Sequence, residues 1–223
     1  MIGGFLVVGA FLWMATWPAT TRQGVNFEVQ SHSVPWAVKS LEFFLRDYRY
    51  RRLAQEVTLG SMTDEAKGLA LFKWTRGHIR PHPKGWPLVD DHIWDIIIRG
   101  YGSEDQMADV FTTLATYSGL PAFWKIFREK TGEKVLVFSF VRIDDQWTVW
   151  DVARGVGFRN EAGDLVSVEE LMDCPEWLRS TPQVLTEGLI PFAVPQPLRA
   201  EKQMIGRRLK FEVKEVWRTV RNR

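Results

Sequence analysis

The chain has 223 residues, of which 45% are hydrophobic and 25% are charged, and this balance excludes an intrinsically disordered or collagen-like protein. The formal net charge of +2 indicates no strongly charged partner for the chain as a whole. Cys174 is the single cysteine, which excludes an intrachain disulfide and a metal cluster built on several thiolates.

The first 19 residues, MIGGFLVVGAFLWMATWPA, contain no charged side chain. Their length is at the short end of a membrane span, which takes roughly 17–25 apolar residues. We expect a membrane anchor or signal-anchor over residues 1–19, with a cleaved signal peptide or a buried soluble helix as alternatives. Positive charge follows the segment, beginning at Arg22, so the positive-inside rule favours a single-pass protein whose body is cytoplasmic, with the periplasmic face left open.

Two helices are predicted after the N-terminal segment. Residues 20–35 are predicted to be a linker with a short strand at Val25–Val29. Apolar residues from Trp36 to Tyr48 then recur at helical spacing and predict the first helix. The second helix has a start signal at which Thr63 or Ser61 can cap, with Asp64 and Glu65 in the first turn. The segment RPHPKGWPLVDD contains three prolines and a glycine and predicts a loop.

Histidine and aspartate occur together at two places in this region. Asp90, Asp91 and His92 are adjacent, and adjacent side chains rarely converge on one ion, so a helix cap at Asp91 is the simpler interpretation. His78 and His82 are four residues apart, but the prolines that flank His82 argue against the helix that would bring the two rings together. We therefore expect no metal and no other cofactor.

The period of the sequence changes after residue 99. The stretch GYGSEDQMADVFTTLATYSGLPAFW predicts a glycine-containing turn, an amphipathic helix from about Glu104, and an exit into a strand. The runs KVLVFSFVRI and QWTVWDV are rich in β-formers and are separated by Asp144 and Asp145, which predict a hairpin turn. Helices followed by antiparallel strands indicate an α+β domain, which we place at residues 36–195.

Residues 196–223 are predicted to form a basic amphipathic helix. They carry nine Lys or Arg and three Glu, and their apolar residues recur at helical spacing. An anionic membrane surface is the partner that this pattern favours, with a helix packed on the body as the alternative. No nucleic-acid-binding motif accompanies the charges, so we expect no nucleic acid partner. The residues expected to bind the membrane surface are Arg207, Arg208, Lys210 and Lys214.

The order of motifs resembles the transglutaminase-like superfamily, whose papain-like fold packs a helix on an antiparallel sheet. The resemblance rests on GYGSEDQMADVFTTLATYSGLPAFW and DDQWTVWDVARGVGF, and it covers roughly residues 63–171. By this resemblance Asp151 falls on the catalytic Asp of the family, and Glu104 stands where the family has its nucleophilic Cys. Lys134 lies near the position of the catalytic His, and Leu136 takes that position in a slightly different register.

Two of the three triad positions are thus substituted. Acyl transfer of this type needs a thiolate that a helix N-terminus and a histidine activate, and a glutamate is a far poorer nucleophile. Cys174 lies far downstream and is expected to be an ordinary buried thiol. By the same resemblance, the vestigial pocket is flanked by Asp105, Gln106 and Trp147. A simpler interpretation of Glu104 and Asp105 is that acidic side chains in a first turn complement the helix dipole.

The sequence therefore predicts a membrane-anchored, catalytically degenerate transglutaminase-like protein that binds or scaffolds a protein partner. The resemblance suggests bacterial envelope or polysaccharide assembly as the setting. The alternative is a thiol-independent hydrolase or lyase that uses the carboxylates of Glu104, Asp105 and Asp151. That alternative requires Glu104 and Asp151 to approach each other, which would raise one pKa and permit general acid–base chemistry.

Overall fold

The computed structural model describes residue 9 and residues 12–25, 28–88, 92–128, 135–160, 163–168 and 170. The chain begins with strands β1 (Pro18–Val25) and β2 (Glu28–Pro35), followed by helices α1 (Trp36–Val57) and α2 (Asp64–His78). Short elements β3 (Arg80–Pro81), α3 (Ile93–Arg99) and β4 (Tyr101–Gly102) lead into helix α4 (Glu104–Tyr117). The last described strands are β5 (Ala122–Arg128), β6 (Val135–Ile143), β7 (Gln146–Asp151) and β8 (Val156–Gly157).

The segment predicted as a linker is a β-hairpin. Strands β1 and β2 pair antiparallel along their whole length, so the prediction of a linker with one short strand at Val25–Val29 was wrong. The backbone N–H and C=O groups of each strand form hydrogen bonds with the other strand. Reading the sequence one segment at a time does not detect such a pairing. The hairpin is joined to α1 by two hydrogen bonds, from Trp36 N to Trp17 O at 2.7 Å and from Lys39 Nζ to Thr20 O at 2.7 Å.

Helix α1 forms where the sequence predicts it, but its periodic apolar residues do not face the core. Two residues of the buried face are polar and have partners. Asp47 Oδ1 accepts a hydrogen bond from Tyr117 Oη at 2.6 Å, and Lys39 donates to the hairpin. Buried polar groups of this kind are tolerated because they are hydrogen-bonded. The residues that α1 buries are Lys39, Phe43, Asp47, Tyr50 and Ala54.

The second helix and the β-hairpin of the sheet follow the sequence signals. Thr63 caps α2, because its Oγ1 accepts from Ala66 N at 3.1 Å. Asp144 and Asp145 have φ of 48° and 66°, the left-handed values that a two-residue hairpin turn requires, and they join β6 to β7. The sheet is antiparallel in the order β5-β6-β7-β8. The α+β class with a helix packed on an antiparallel sheet is therefore confirmed.

Helix α4 packs on one face of this sheet and forms the main core. Phe111 on α4 lies against Trp150 of β7 and Phe72 of α2, with ring centroids 5.7 Å and 5.9 Å away, and all three belong to one aromatic cluster. A second apolar cluster, which includes Phe138 and Phe140 of β6, covers the other face of the sheet. Both faces of β6 are therefore buried, which explains why its sequence is a continuous apolar run.

Part of the predicted organisation lies outside the described residues. These parts are most of the predicted anchor at residues 1–19, Lys134, Cys174 and the predicted basic helix at residues 196–223. Within the ranges given above, no helix combines the length and the apolar composition that crossing a membrane requires. β1 begins at Pro18, inside the range predicted for the anchor.

The Phe111 ring is expected to be a principal source of stability, because it is fully buried among aromatic neighbours. Phe111→Ala should lower the free energy of unfolding by about 3–5 kcal/mol, through lost transfer energy and a cavity. Equilibrium unfolding in urea measures this loss. Leu59→Ala is the control, because Leu59 is 86% exposed. Equal losses for the two variants would contradict the assignment of Phe111 to the core.

Candidate functional site

The turn before α4 is fixed by its neighbours. β4 pairs with β3 in parallel, and His82 N donates to Gly102 O at 2.9 Å. A Cβ at Gly102 would lie 3.0 Å from Gln106 Cβ and 3.3 Å from Ile96 Cγ2. A larger residue would push the turn away from α3 and α4. Glycine at this position therefore sets how closely the chain approaches the helix N-terminus.

Ser103 and Gln106 cap the helix. Gln106 Oε1 accepts from Ser103 N at 3.2 Å and from Arg99 Nη2 at 2.9 Å, and the Ser103 hydroxyl donates to the Asp105 carboxylate. Two of the residues expected to flank a pocket, Asp105 and Gln106, are thus occupied in holding the start of α4. Both side chains therefore have a structural role at the start of the helix, and for Asp105 this agrees with the simpler interpretation given above.

Glu104 and Asp151 are brought to one place by a residue that the sequence analysis missed. Arg154 Nη1 donates to Asp151 Oδ2 at 2.9 Å, and its Nη2 lies 3.3 Å from Glu104 Oε1. The backbone N–H of Arg154 also donates to Asp151 Oδ1 at 2.9 Å. Asp151 is only 4% exposed. The two carboxylates that the resemblance assigns to triad positions are therefore bridged by one guanidinium, in an arrangement that we call the Glu104–Arg154–Asp151 bridge.

Helix α2 braces the turn that carries Arg154. Gly155 has φ of 76°, a left-handed value that favours glycine, and its N–H donates to Asp151 O at 2.9 Å. A Cβ at Gly155 would lie 3.0 Å from the guanidinium of Arg76, which also donates to Ala153 O. This packing holds the turn against α2 and fixes the direction from which Arg154 reaches Glu104.

The two carboxylate partners of Arg154 favour its protonated, positively charged form. Burial alone would lower the pKa of Arg154, but the Asp151 and Glu104 carboxylates outweigh it and raise the pKa above its ordinary value. The guanidinium is therefore a permanent cation, and it lacks a lone pair that would accept a proton. The bridge is an ion-pair network with no base in it that resembles a catalytic histidine.

A second carboxylate on α4 has an unusual environment that the sequence analysis also missed. Asp109 Oδ1 accepts from Trp124 Nε1 at 3.0 Å, and the side chain is half-buried between α4 and β5. Burial raises the pKa of Asp109 to about 6; the Trp124 hydrogen bond opposes the rise and the nearby Asp105 adds to it. The sequence signal was an acidic residue one turn after Asp105 on a helix face that is otherwise buried.

The histidine position of the resemblance has no equivalent in the described strand. Lys134 lies outside the described residues, so its predicted place in the site is not tested. Leu136 is buried in the second apolar cluster with Phe138. Trp147 packs on Phe123, with ring centroids 5.1 Å apart, and belongs to the same cluster. The ring of Trp147 thus has an apolar partner, and its predicted place beside the pocket stays a prediction.

His78, at the end of α2, and His82, after β3, make contacts with different aromatic rings. His78 stacks on Trp74 with centroids 4.3 Å apart, whereas the ring of His82 faces Tyr101 at 5.9 Å. His92 precedes α3 as its N-cap residue, so the cap predicted at Asp91 is displaced by one position; Asp90 and Asp91 themselves lie outside the described residues. In the part of the chain that the structure describes, no three potential metal-binding side chains form a group.

No protein-family model and no curated protein matches the chain. Partial similarity exists to a candidate cysteine protease from Cytophaga hutchinsonii, at 19% identity and a TM-score of 0.43, over 54% of this chain and 41% of that one. A candidate protease from Parabacteroides distasonis has 11% identity and a TM-score of 0.37, over 69% of this chain and 41% of that one. A TGase has 14% identity and a TM-score of 0.40, over 64% of this chain and 44% of that one.

The chain spans only about two fifths of the length of each of these three proteins. With TM-scores below 0.5 and identities below 20%, these similarities carry no conclusion about the fold or activity of this chain.

Arg154 is expected to stabilise the domain because it compensates the charge of the buried Asp151. Arg154→Met keeps the length of the side chain and leaves the Asp151 carboxylate with the backbone N–H of residue 154 as its donor. The free energy of unfolding at pH 7 should fall by about 1–3 kcal/mol, the usual cost of depriving a buried charged group of its partner. Urea unfolding measures the loss. Arg142→Met is the control, because Arg142 pairs with the 92%-exposed Asp145 and should cost well under 1 kcal/mol.

Asp109 should make stability depend on pH. Because its folded-state pKa is about 6 and its ordinary value is 3.8, the folded state binds the proton more tightly than the unfolded chain. Protonation of Asp109 therefore stabilises the folded state fully below the unfolded-state pKa of 3.8, and this stabilisation is lost as the pH rises through about 6. Asp109→Asn keeps the oxygen that accepts from Trp124, so its stability relative to wild type should rise between pH 4 and pH 8 by up to roughly 3 kcal/mol.

Urea unfolding across this pH range measures the difference for Asp109→Asn. The control is Asp144→Asn in the exposed β6–β7 turn, whose left-handed backbone asparagine adopts readily. A difference between wild type and Asp109→Asn that stays constant from pH 4 to pH 8 would show that Asp109 titrates normally.

Proposed function

We propose that this protein is a membrane-anchored, non-catalytic transglutaminase-like protein that binds or scaffolds a protein partner. The observation that supports this function is the Glu104–Arg154–Asp151 bridge. At the position that the resemblance assigns to a nucleophile there is a carboxylate, and a guanidinium neutralises it. The aspartate that would orient a histidine instead accepts from that guanidinium through Oδ2 and from the backbone N–H of Arg154 through Oδ1. The place of the triad is thus occupied by a structural ion-pair network.

The chemistry of acyl transfer explains why this occupation matters. A nucleophile at a helix N-terminus needs a neighbouring base that takes its proton and later returns it. Arg154 supplies a fixed positive charge and accepts no proton. The guanidinium also donates hydrogen bonds to one oxygen of each carboxylate, and a substrate would have to compete for these two acceptors. These features favour a role in binding over a role in covalent catalysis.

The runner-up function uses Glu104, Asp105 and Asp151 as the carboxylates of a hydrolase or lyase. Each of the three has a partner: Arg154 for Glu104 and Asp151, and the Ser103 hydroxyl for Asp105. The described carboxyl group whose pKa is raised towards neutrality is Asp109, which contacts Trp124 instead. A carboxylate enzyme would therefore have to open the bridge before it acted, and the experiment below distinguishes the two functions.

The proposed setting is a bacterial membrane, with envelope or polysaccharide assembly as the process. It rests on the uncharged residues 1–19 and on the basic residues 196–223, both of which are features of the sequence. In this proposal the first segment anchors the chain, and Arg207, Arg208, Lys210 and Lys214 bind anionic lipid. The body faces the cytoplasm, following the positive charge after the anchor.

Purification in a mild detergent from the native membrane, with quantitative mass spectrometry, tests the scaffold function. Glu104→Gln removes the charge and keeps an oxygen that accepts from Arg154. A binding protein should retain a stoichiometric partner at the wild-type level, within about twofold, because one exposed ion pair contributes little. Leu59→Gln, at an exposed position remote from the bridge in sequence, is the matched control.

The opposite outcome identifies an enzyme. In that outcome neither the wild type nor Glu104→Gln retains a partner, and cells that carry Glu104→Gln behave like cells without the protein. The carboxylates are then a working active site. The folded state of Glu104→Gln is verified by its urea unfolding curve, so that a loss of function is not attributed to unfolding.

A further inference from the structure

Helix α1 exposes a continuous apolar surface on the side opposite its buried face. Five large side chains, spaced three or four residues apart along three turns, are between 40% and 68% exposed. They occupy the arc opposite Phe43 and Tyr50, which face the core. An apolar stripe of this size on a surface helix is typical of a contact with a partner or a membrane. The residues of this surface, which we call the α1 stripe, are Val38, Leu41, Phe44, Leu45 and Tyr48.

The α1 stripe begins where the apolar N-terminal segment meets the domain. Trp36, the first residue of α1, donates its N–H to Trp17 O, and the ring of Trp17 contacts Trp13 with centroids 4.9 Å apart. Leu12, Trp13 and Met14 are themselves 64%, 65% and 42% exposed. Both apolar surfaces are therefore connected at the start of α1, and the upstream surface belongs to the uncharged residues 1–19.

Charge determines which occupant fits. Directly beyond Tyr48 the exposed side of α1 is basic, with Arg49 and Arg52 exposed and Glu56 one turn further on; Arg49 also lies over the Trp94 ring at 5.5 Å. The predicted helix at residues 196–223 also has an apolar side, but its excess of six positive charges would be repelled by this end of α1. Anionic lipid headgroups complement the arginines, and the acyl boundary complements the apolar residues.

We propose that the α1 stripe lies in the interface of an anionic bilayer and holds the domain flat against the membrane. The apolar side chains of the stripe lie at the boundary between headgroups and acyl chains. Arg49 and Arg52 lie at the headgroup level, where their long side chains reach the lipid phosphates. This inference rests on the proposed membrane attachment and adds a second contact to it. The attachment through residues 1–19 holds the chain at the membrane, and the stripe sets how the domain is oriented there.

The full chain in vesicles of phosphatidylcholine and phosphatidylglycerol tests the orientation. With Cys174→Ser as background, a single nitroxide is attached at Leu45→Cys in the stripe or at Asp144→Cys in the exposed β6–β7 turn. Flotation reports whether the chain is attached. The ratio of collisions with oxygen to collisions with a water-soluble nickel chelate reports depth. We expect this ratio to be at least about threefold higher at Leu45→Cys than at Asp144→Cys, because oxygen concentrates in the apolar region and the chelate is excluded from it.

Each other outcome overturns the inference in a recognisable way. A chain that floats with equal ratios at both positions keeps its attachment but not the contact of the stripe. A chain that does not float loses both the attachment and the contact. A label at Leu45→Cys that is immobile and broadened by a second label shows that another copy of the chain covers the stripe. A label that is immobile, not broadened and shielded from both reagents shows that protein other than a second copy covers it.

Discussion

The contact of one guanidinium with two carboxylates organises the site of this protein. Arg154 holds Asp151, which the core has almost entirely removed from water, and extends to Glu104 at the start of α4. A buried carboxylate without such a partner would be costly, since desolvation penalises the charged form. The end of β7, the turn after it and the first residue of α4 therefore keep one arrangement. The same arrangement occupies the place that the family resemblance assigns to catalysis.

Negative charge accumulates at the N-terminal end of α4, and the surroundings compensate each part of it differently. Glu104 has Arg154, Asp105 has the Ser103 hydroxyl, and Asp109 has the indole N–H of Trp124. The helix dipole favours the first two, since they lie in the first turn. Asp109 lies beyond the first turn and is half-buried between α4 and β5, so its neutral carboxyl form is favoured. One helix thus carries three acidic side chains that have three different kinds of partner.

The sequence predicted those features that local signals determine. Thr63 before two acidic residues and the pair Asp144–Asp145 each specify a boundary through nearby backbone groups. Features that depend on distant partners were not predictable in this way. The apolar spacing of α1 predicted the helix but not the face that it buries, because Asp47 and Lys39 are accommodated by Tyr117 and Thr20. Arg154 was missed although it follows Asp151 by three residues, since its second partner is 50 residues away.

The turn at Gly155 has a consequence for how the domain assembles. Three contacts of the site, from Gly155 N to Asp151 O and from two nitrogens of Arg154 to Asp151, span only three or four residues. They are available as soon as the end of β7 is in place and need little loop closure. The contact with Glu104 joins segments on either side of β5 and β6, and so it becomes available only when α4 docks on the sheet. The local hydrogen bonds of Asp151 can therefore form first and hold Arg154 in position for its later contact with Glu104.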